Sequence, residues 1–207
     1  MPHRPSLSVR LYCSLLLLAS PLAAQATAPA IRLQFDPAKT VAEITLSATM
    51  HTVHGTFSVK RGAVNFDPDT GIVSGEVVFD ATSGKTGIAG RDQKMHKDVL
   101  ESQRYPDVTF RPDHAEGHFA AGGISTLNVH GIIVVHGSPH ELTLPVQVHF
   151  TNDQWSTTSS FTIPYVQWGM KNPSNFFLKV HNEVEVHVNA GGQLGALRHE
   201  PKLILLW

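Results

Sequence analysis

Gly90 to Phe110 reads GRDQKMHKDVLESQRYPDVTF, and it is the one stretch of this chain that does not look like β-strand. Asp92 is placed to cap a helix, because its carboxylate can accept from backbone N–H groups two or three residues on. Met95, Val99 and Leu100 follow at spacings of four and five and share a face. Lys94, Lys97, Asp98 and Glu101 decorate the other side. Tyr105-Pro106 stops the helix, since the residue before a proline is driven to extended geometry. Asp107-Val-Thr-Phe110 restarts an alternating strand. A turn or two of amphipathic helix set into a sheet must lie over something apolar, either the plug of a core or the lip of a cavity.

Outward from this insertion the period is two. Toward the N-terminus, Ile31 to Phe35 is a short strand ended by Asp36-Pro37. Ala42, Ile44, Leu46, Ala48 and Met50 then share one face. A strand beginning at Gly55-Thr-Phe57 has a bend permitted at Arg61-Gly62, and Asp67-Pro-Asp-Thr-Gly71 is a turn. Ile72 to Ala81 is the strand that leads, through Ser83 to Gly87, into the insertion. Beyond it, Ala115 to Gly117 and Ala121 to Gly123 read as successive hairpin turns. Leu127, Val129, Gly131, Ile133 and Val135 share one parity, and Gly137-Ser138 turns the chain. Leu142, Leu144, Val146, Val148 and Phe150 share the next. Pro145 has no N–H, so its strand lies at an edge or is unpaired there. Trp155 to Tyr165 is a strand rich in Ser and Thr, and Gln167 to Phe176 is an irregular loop. The last parity runs from Leu178 to Val188 and ends at Gly191-Gly192.

Eight to ten antiparallel strands with one buried face each must form a sandwich or a closed barrel. Their length and their glycines favour an all-β antiparallel barrel, with the helical insertion after the fourth or fifth strand. The chain divides into a removable leader, one domain at 27–190, and a loose tail at 191–207. Residues 1–26 have the order of a secretory signal peptide: Arg4 and Arg10, an apolar run from Leu11 to Ala24, then Ala24-Gln-Ala26. That run of 14 residues is shorter than the roughly 20 needed to span a bilayer. Cys13 is the only cysteine, so the mature chain has no disulfide. Without Arg4 and Arg10 the chain has 14 basic and 17 acidic residues. No basic stripe appears, which argues against a nucleic-acid partner.

Several of these residues carry a resemblance. Arg91-Asp92, Met95-His96 and Tyr105-Pro-Asp-Val-Thr-Phe110 resemble the RD…HL…YPxxxF signature of the YceI-like, polyisoprenoid-binding proteins. Gly55-Thr-Phe57, Leu127-Asn-Val-His-Gly131 with Leu142 to Val146, and Val184-Glu-Val186 resemble further, weaker pieces of that pattern. The likeness extends over Leu33 to Val188. It implies a lipocalin-like barrel, extended to enclose an apolar tunnel, in a periplasmic or secreted protein without catalysis or cofactor. The implied partner is a polyisoprenoid, an isoprenoid quinone or another long-chain lipid. A transient membrane contact and a homodimer are both compatible with this.

On that reading Met95, Val99, Leu100 and Tyr105 line or lid the cavity. Phe57, Phe79, Phe110, Trp168, Phe176 and Phe177 are the other aromatic candidates for its wall. Arg91 and Lys94 are the candidates for an anionic headgroup; the competing role for Arg91 is a brace between insertion and barrel. A barrel of about eight strands is the size that holds one ligand or is filled by side chains.

Two other readings compete. Thirteen histidines raise a metal carrier or metalloenzyme. No His-x-His occurs, however, and His130 and His136 would stand about 20 Å apart on a strand. A filled barrel serving as an interaction module in envelope stress is the other. Nucleophilic catalysis has no G-x-S-x-G elbow and no mature cysteine behind it.

Overall fold

The computed structural model describes residues 30–195 apart from Met50 and Ala121. The expected signal peptide and the tail from residue 196 lie outside the described residues. Nine strands are formed: β1 (Ile31–Phe35), β2 (Val41–Ser47), β3 (Thr52–Phe66), β4 (Val73–Asp80), β5 (Asp107–His118), β6 (Gly123–Val135), β7 (Ser138–Thr151), β8 (Gln154–Ile163) and β9 (Val184–Gly195). The order β3-β2-β9-β8-β7-β6-β5-β4 returns to β3, so eight antiparallel strands close a barrel. β1 and β2 share one slot between β3 and β9. β2 pairs with the first half of β3, and β1 fills the gap above it, with Leu33 opposite both Val64 and Leu194. The break between them is a 3₁₀ turn at Pro37–Lys39, where the Asp36 carboxylate accepts from the Ala38 N–H at 2.9 Å.

The apolar parity of each strand faces inward. Two bulges keep it so. In β3 the register shifts between Val59 and Arg61, and the inward set changes from Val53, Phe57 and Val59 to Val64 and Phe66. In β5 it shifts between Pro112 and His114, and the inward set changes from Val108, Phe110 and Pro112 to Ala115. An extra residue on one strand leaves a side chain unpaired and resets which face its followers occupy.

The two ends of the barrel differ. One is plugged by aromatic rings. Phe66 meets Phe119 at 5.5 Å, Phe119 meets Phe150 at 5.8 Å, and Phe35 meets Trp155 edge-on at 4.7 Å. The other end carries the 81–106 insertion between β4 and β5, the β2–β3 turn and the 164–183 connection. The wall also has a seam. β7 pairs with β8 only from Val146 to Thr151, so Ser138–Pro145 and the last residues of β8 do not bond to each other. Pro145, which has no N–H to donate, is where that ladder opens.

Four expectations are corrected. Ala115 to Gly117 is not a turn; β5 continues to His118, with Gly117 opposite Leu127. The β6–β7 turn is His136-Gly137, with φ of 51° and 77°, rather than Gly137-Ser138. β9 begins at Val184, not at Leu178. Gly191-Gly192 does not end it, for the strand runs on to Gly195 to receive β1. A Cβ at Gly192 would stand 1.8 Å from the Gln34 carbonyl oxygen, so the glycines mark close approach of β1. Gly192→Ala is expected to cost about 1–3 kcal/mol, read as a lower urea midpoint with unchanged slope.

Candidate functional site: an apolar cavity under the insertion

The insertion is one turn and a half of α-helix, α1 (Ala89–Lys94), running into a π-turn at Met95–Val99. The Leu100 N–H donates to the Met95 carbonyl at 2.9 Å, an i to i+5 bond. That wide turn is why Met95 and Leu100, five apart, both face the cavity. Asp92 does not cap the helix. The residue at that position is Ile88, without a side-chain bond. Asp92 sits inside the first turn and reaches back six residues, accepting from the Thr86 N–H at 2.8 Å and from the Thr86 hydroxyl. Arg91 joins the same knot, donating Nε to Thr86 Oγ1 at 2.7 Å and a terminal N–H to the Thr86 carbonyl at 2.6 Å. The neighbouring Lys85 exchanges two backbone bonds with Thr56 of β3. Arg91 therefore does brace the insertion, through hydrogen bonds to Thr86 rather than through a salt bridge.

His96 provides a second anchor. Its Nε2 lies 2.9 Å from the Gly84 carbonyl, which can only accept, so this nitrogen donates. Its Nδ1 then accepts from the Ser102 hydroxyl at 3.0 Å. Thr86, His96 and Ser102 belong to no set that periodicity could have marked, because their partners lie across a loop.

The Thr86 hydroxyl bond, with help from the Thr86 N–H and the nearby Arg91 charge, holds the Asp92 carboxyl below its usual value of 3.8 against the opposing effect of burial. A depressed carboxylate contributes stability above its unfolded pKa and loses it as pH falls through the folded one. The insertion is thus expected to loosen only below about pH 3.8. Faster hydrogen exchange at the Thr86 amide in that window would report it, and Asp92→Asn should remove the pH dependence.

Beneath the insertion the barrel is hollow. A cavity of about 590 Å³ runs between the insertion and the aromatic plug. Every strand contributes its apolar parity to the wall, including Ile44 and Leu46 of β2, Val129 and Ile133 of β6, Leu142 and Leu144 of β7, Phe161 of β8, and Val186 and Val188 of β9. Of the residues singled out from sequence, Phe57, Phe79, Met95, Val99, Leu100 and Phe110 line it, and so do Arg91 and Lys94 at the rim. A solid interior is excluded by this void.

Four aromatic candidates lie elsewhere. Tyr105 packs outside, on the β6–β7 turn: its ring is 4.8 Å from that of His136, with the Arg104 guanidinium 5.0 Å over it. Gly137 is what leaves room, since a Cβ there would come within 2.5 Å of the Tyr105 ring. Trp168 stacks on His140 at 4.2 Å, with the rings 4° from parallel, rather than on the cavity. Phe176 projects into solvent with 87% of its surface exposed, and Phe177 does the same. Tyr165, Leu178 and Val180 of the same connection line the cavity instead.

One group in the wall is out of character. The Ser159 hydroxyl is buried without a hydrogen-bond partner, between Val146 and Val188 on the neighbouring strands. A buried orphan hydroxyl carries its desolvation penalty uncompensated. Ser159→Ala is expected to raise stability by about 1 kcal/mol, measured as a higher urea midpoint. Among the described residues, no three His, Cys, Asp or Glu side chains converge to hold a metal ion.

Residues 33–191 match the model of the YceI-like domain. The chain belongs to the YceI-like family. Solved structures share the YceI-like barrel. Burkholderia cenocepacia BcnA aligns at 20% identity and a TM-score of 0.62, covering 77% of this chain and 99% of its own. A polyisoprenoid binding domain from Saccharophagus degradans, implicated in plant cell wall breakdown, aligns at 16% and 0.61, covering 78% and 98%. The Campylobacter jejuni YceI protein aligns at 14% and 0.59, covering 72% and 88%. No curated protein sequence matches this YceI-like chain.

Proposed function

We propose that this protein is a secreted or periplasmic, non-catalytic carrier that holds the apolar chain of a polyisoprenoid or isoprenoid quinone inside its barrel. The observation that carries this is the cavity: plugged at one end, rimmed by Arg91 and Lys94 at the other, and apolar between them. Its 590 Å³ falls within the range of small-molecule sites, about 300–1,000 Å³. At roughly 30 Å³ per water-sized group, it accommodates about 20 carbons, or about four five-carbon units. Burial contributes at most roughly 0.8 kcal/mol per CH₂-sized group, or about 3–4 kcal/mol per unit. Association and chain ordering take back several kcal/mol, so four buried units suffice for micromolar binding or better. Lys94 and Arg91 are the cations at the rim for a phosphate or carbonyl headgroup, the ammonium as a point charge and the guanidinium through the N–H groups that Thr86 does not take. The polyisoprenoid-binding relative from Saccharophagus degradans supports the ligand class.

The test is organic extraction of the purified protein followed by mass spectrometry, with uptake of added long-chain polyprenol and quinone measured alongside. A co-purifying isoprenoid, or saturable uptake near one per chain, is the expected result. No extracted lipid together with no uptake overturns the proposal.

A further inference from the structure

The 164–183 connection forms part of the cavity lip, and its tip has a different character. There Phe176 and Phe177 are 87% and 85% exposed, the two most exposed large apolar side chains among the described residues, and they meet edge-on at 5.1 Å. Exposed rings of this size on a floppy loop would mean little. Here the backbone that carries them is tied by hydrogen bonds. Asn175 Oδ1 accepts from the N–H groups of Phe177 at 2.9 Å and Leu178 at 2.8 Å, and the Asn175 N–H donates to the Leu178 carbonyl. Below the tip, the Thr49 N–H donates to the Lys179 carbonyl and the Lys179 N–H to Thr49 Oγ1, which ties the connection to the β2–β3 turn. Lys94 Nζ donates to the Pro173 carbonyl at 3.0 Å and ties it to the insertion. Asn175 and Leu178 line the cavity while the two rings between them point away from it. An adjoining aromatic pair is therefore presented outward at the mouth.

The charge around this pair is one-sided. Residues 164–182 contain Lys171, Lys179 and His181, all exposed, and no acidic residue. Lys94, also exposed, joins them from the insertion. Of the acids at this end, Asp92 is bonded to Thr86, Glu101 pairs with His136, Asp98 is on the π-turn and Glu183 closes the connection at the base of β9. Apolar rings flanked by lysines are the chemistry of an interfacial anchor, with the rings entering the headgroup layer and the ammonium groups facing anionic lipid.

We infer that the lip at Phe176-Phe177 docks on the surface of an anionic lipid bilayer and sets the cavity mouth against it. The docking stands on the lip alone; that the bilayer supplies or receives the cargo rests on the carrier reading above.

Co-sedimentation with sucrose-loaded vesicles tests it, using phosphatidylcholine alone and phosphatidylcholine with phosphatidylglycerol. The protein is expected to pellet with the anionic vesicles, more weakly with the zwitterionic ones, and less as salt rises. Phe176→Ser with Phe177→Ser is expected to reduce partitioning at least about tenfold. Lys171→Glu with Lys179→Glu is expected to remove the preference for anionic vesicles. All four positions are exposed, so unchanged thermal melts and unchanged polyprenol uptake from cyclodextrin, without vesicles, establish that each variant keeps its barrel. Equal pelleting of parent and phenylalanine variant, or no pelleting of either, overturns the docking. Self-association that the serine variant abolishes, with no vesicle binding, also overturns it and assigns the rings to a second copy. Pelleting with no extracted lipid and no uptake of polyprenol or quinone leaves the docking standing and removes the carrier reading; uptake without pelleting does the reverse.

Discussion

Val188→Trp is expected to lower uptake of a long-chain polyprenol at least about tenfold while the barrel stays folded. Val188 stands at mid-height on β9, opposite Ala42 of β2 and Ser159 of β8, and faces the void. An added indole there projects into empty space. Overpacking a filled core costs about 1–3 kcal/mol, because neighbours must leave their rotamers. Here few neighbours stand in the way, so the unfolding midpoint should move little. The ring instead occupies volume that the first isoprenoid units need, at about 0.8 kcal/mol for each CH₂-sized group displaced. Fluorescence titration of the variant against the parent protein, with urea unfolding of both, is the measurement. Equal uptake by the two would mean that the chain does not occupy this part of the cavity.

Phe66→Ala is expected to be the most damaging single truncation in the barrel, at about 3–5 kcal/mol. Phe66 is 6% exposed and stands at the closed end, opposite Ile31 and edge-on to Phe119. Phe119 in turn leans on Phe150, so the ring removed is one member of a chain of contacts. The space it leaves adjoins the main cavity, and the surrounding strands are pinned by their ladders, which limits collapse. Chemical denaturation gives the magnitude. A loss below about 1 kcal/mol would show that the plug reorganises rather than holds.

Most of the barrel was legible because burial on a strand leaves a period-two trace. Ile44, Val129, Leu144 and Val188 lie on parities plain in the chain, and those parities proved to be the cavity wall. Sequence could not say which parity was inward around a bulge. Arg61-Gly62 hinted at the shift in β3, but nothing marked the one at Asp113. Nor could it tell a hollow from a core, since both want the same side chains. The site was harder. Tyr105, Trp168 and Phe176 were singled out as aromatic residues in or beside loops, where no period fixes direction, and each turned away from the cavity. Asp92 was assigned a local role because caps are local; its partner, Thr86, comes within reach only when the loop folds back against β3. The spacing of five between Met95 and Leu100 was the one sign of the π-turn, and it fits no ordinary helix.

The shared slot of β1 and β2 has a practical side. Because Arg32 pairs with Gly195 beside the aromatic plug, the chain enters and leaves the described fold side by side at the stoppered end. A fluorophore or a solid support joined beside Arg32 or Gly195 sits there, a barrel's length from the opening. Protein immobilised through that face would offer every mouth to the solution in the same orientation.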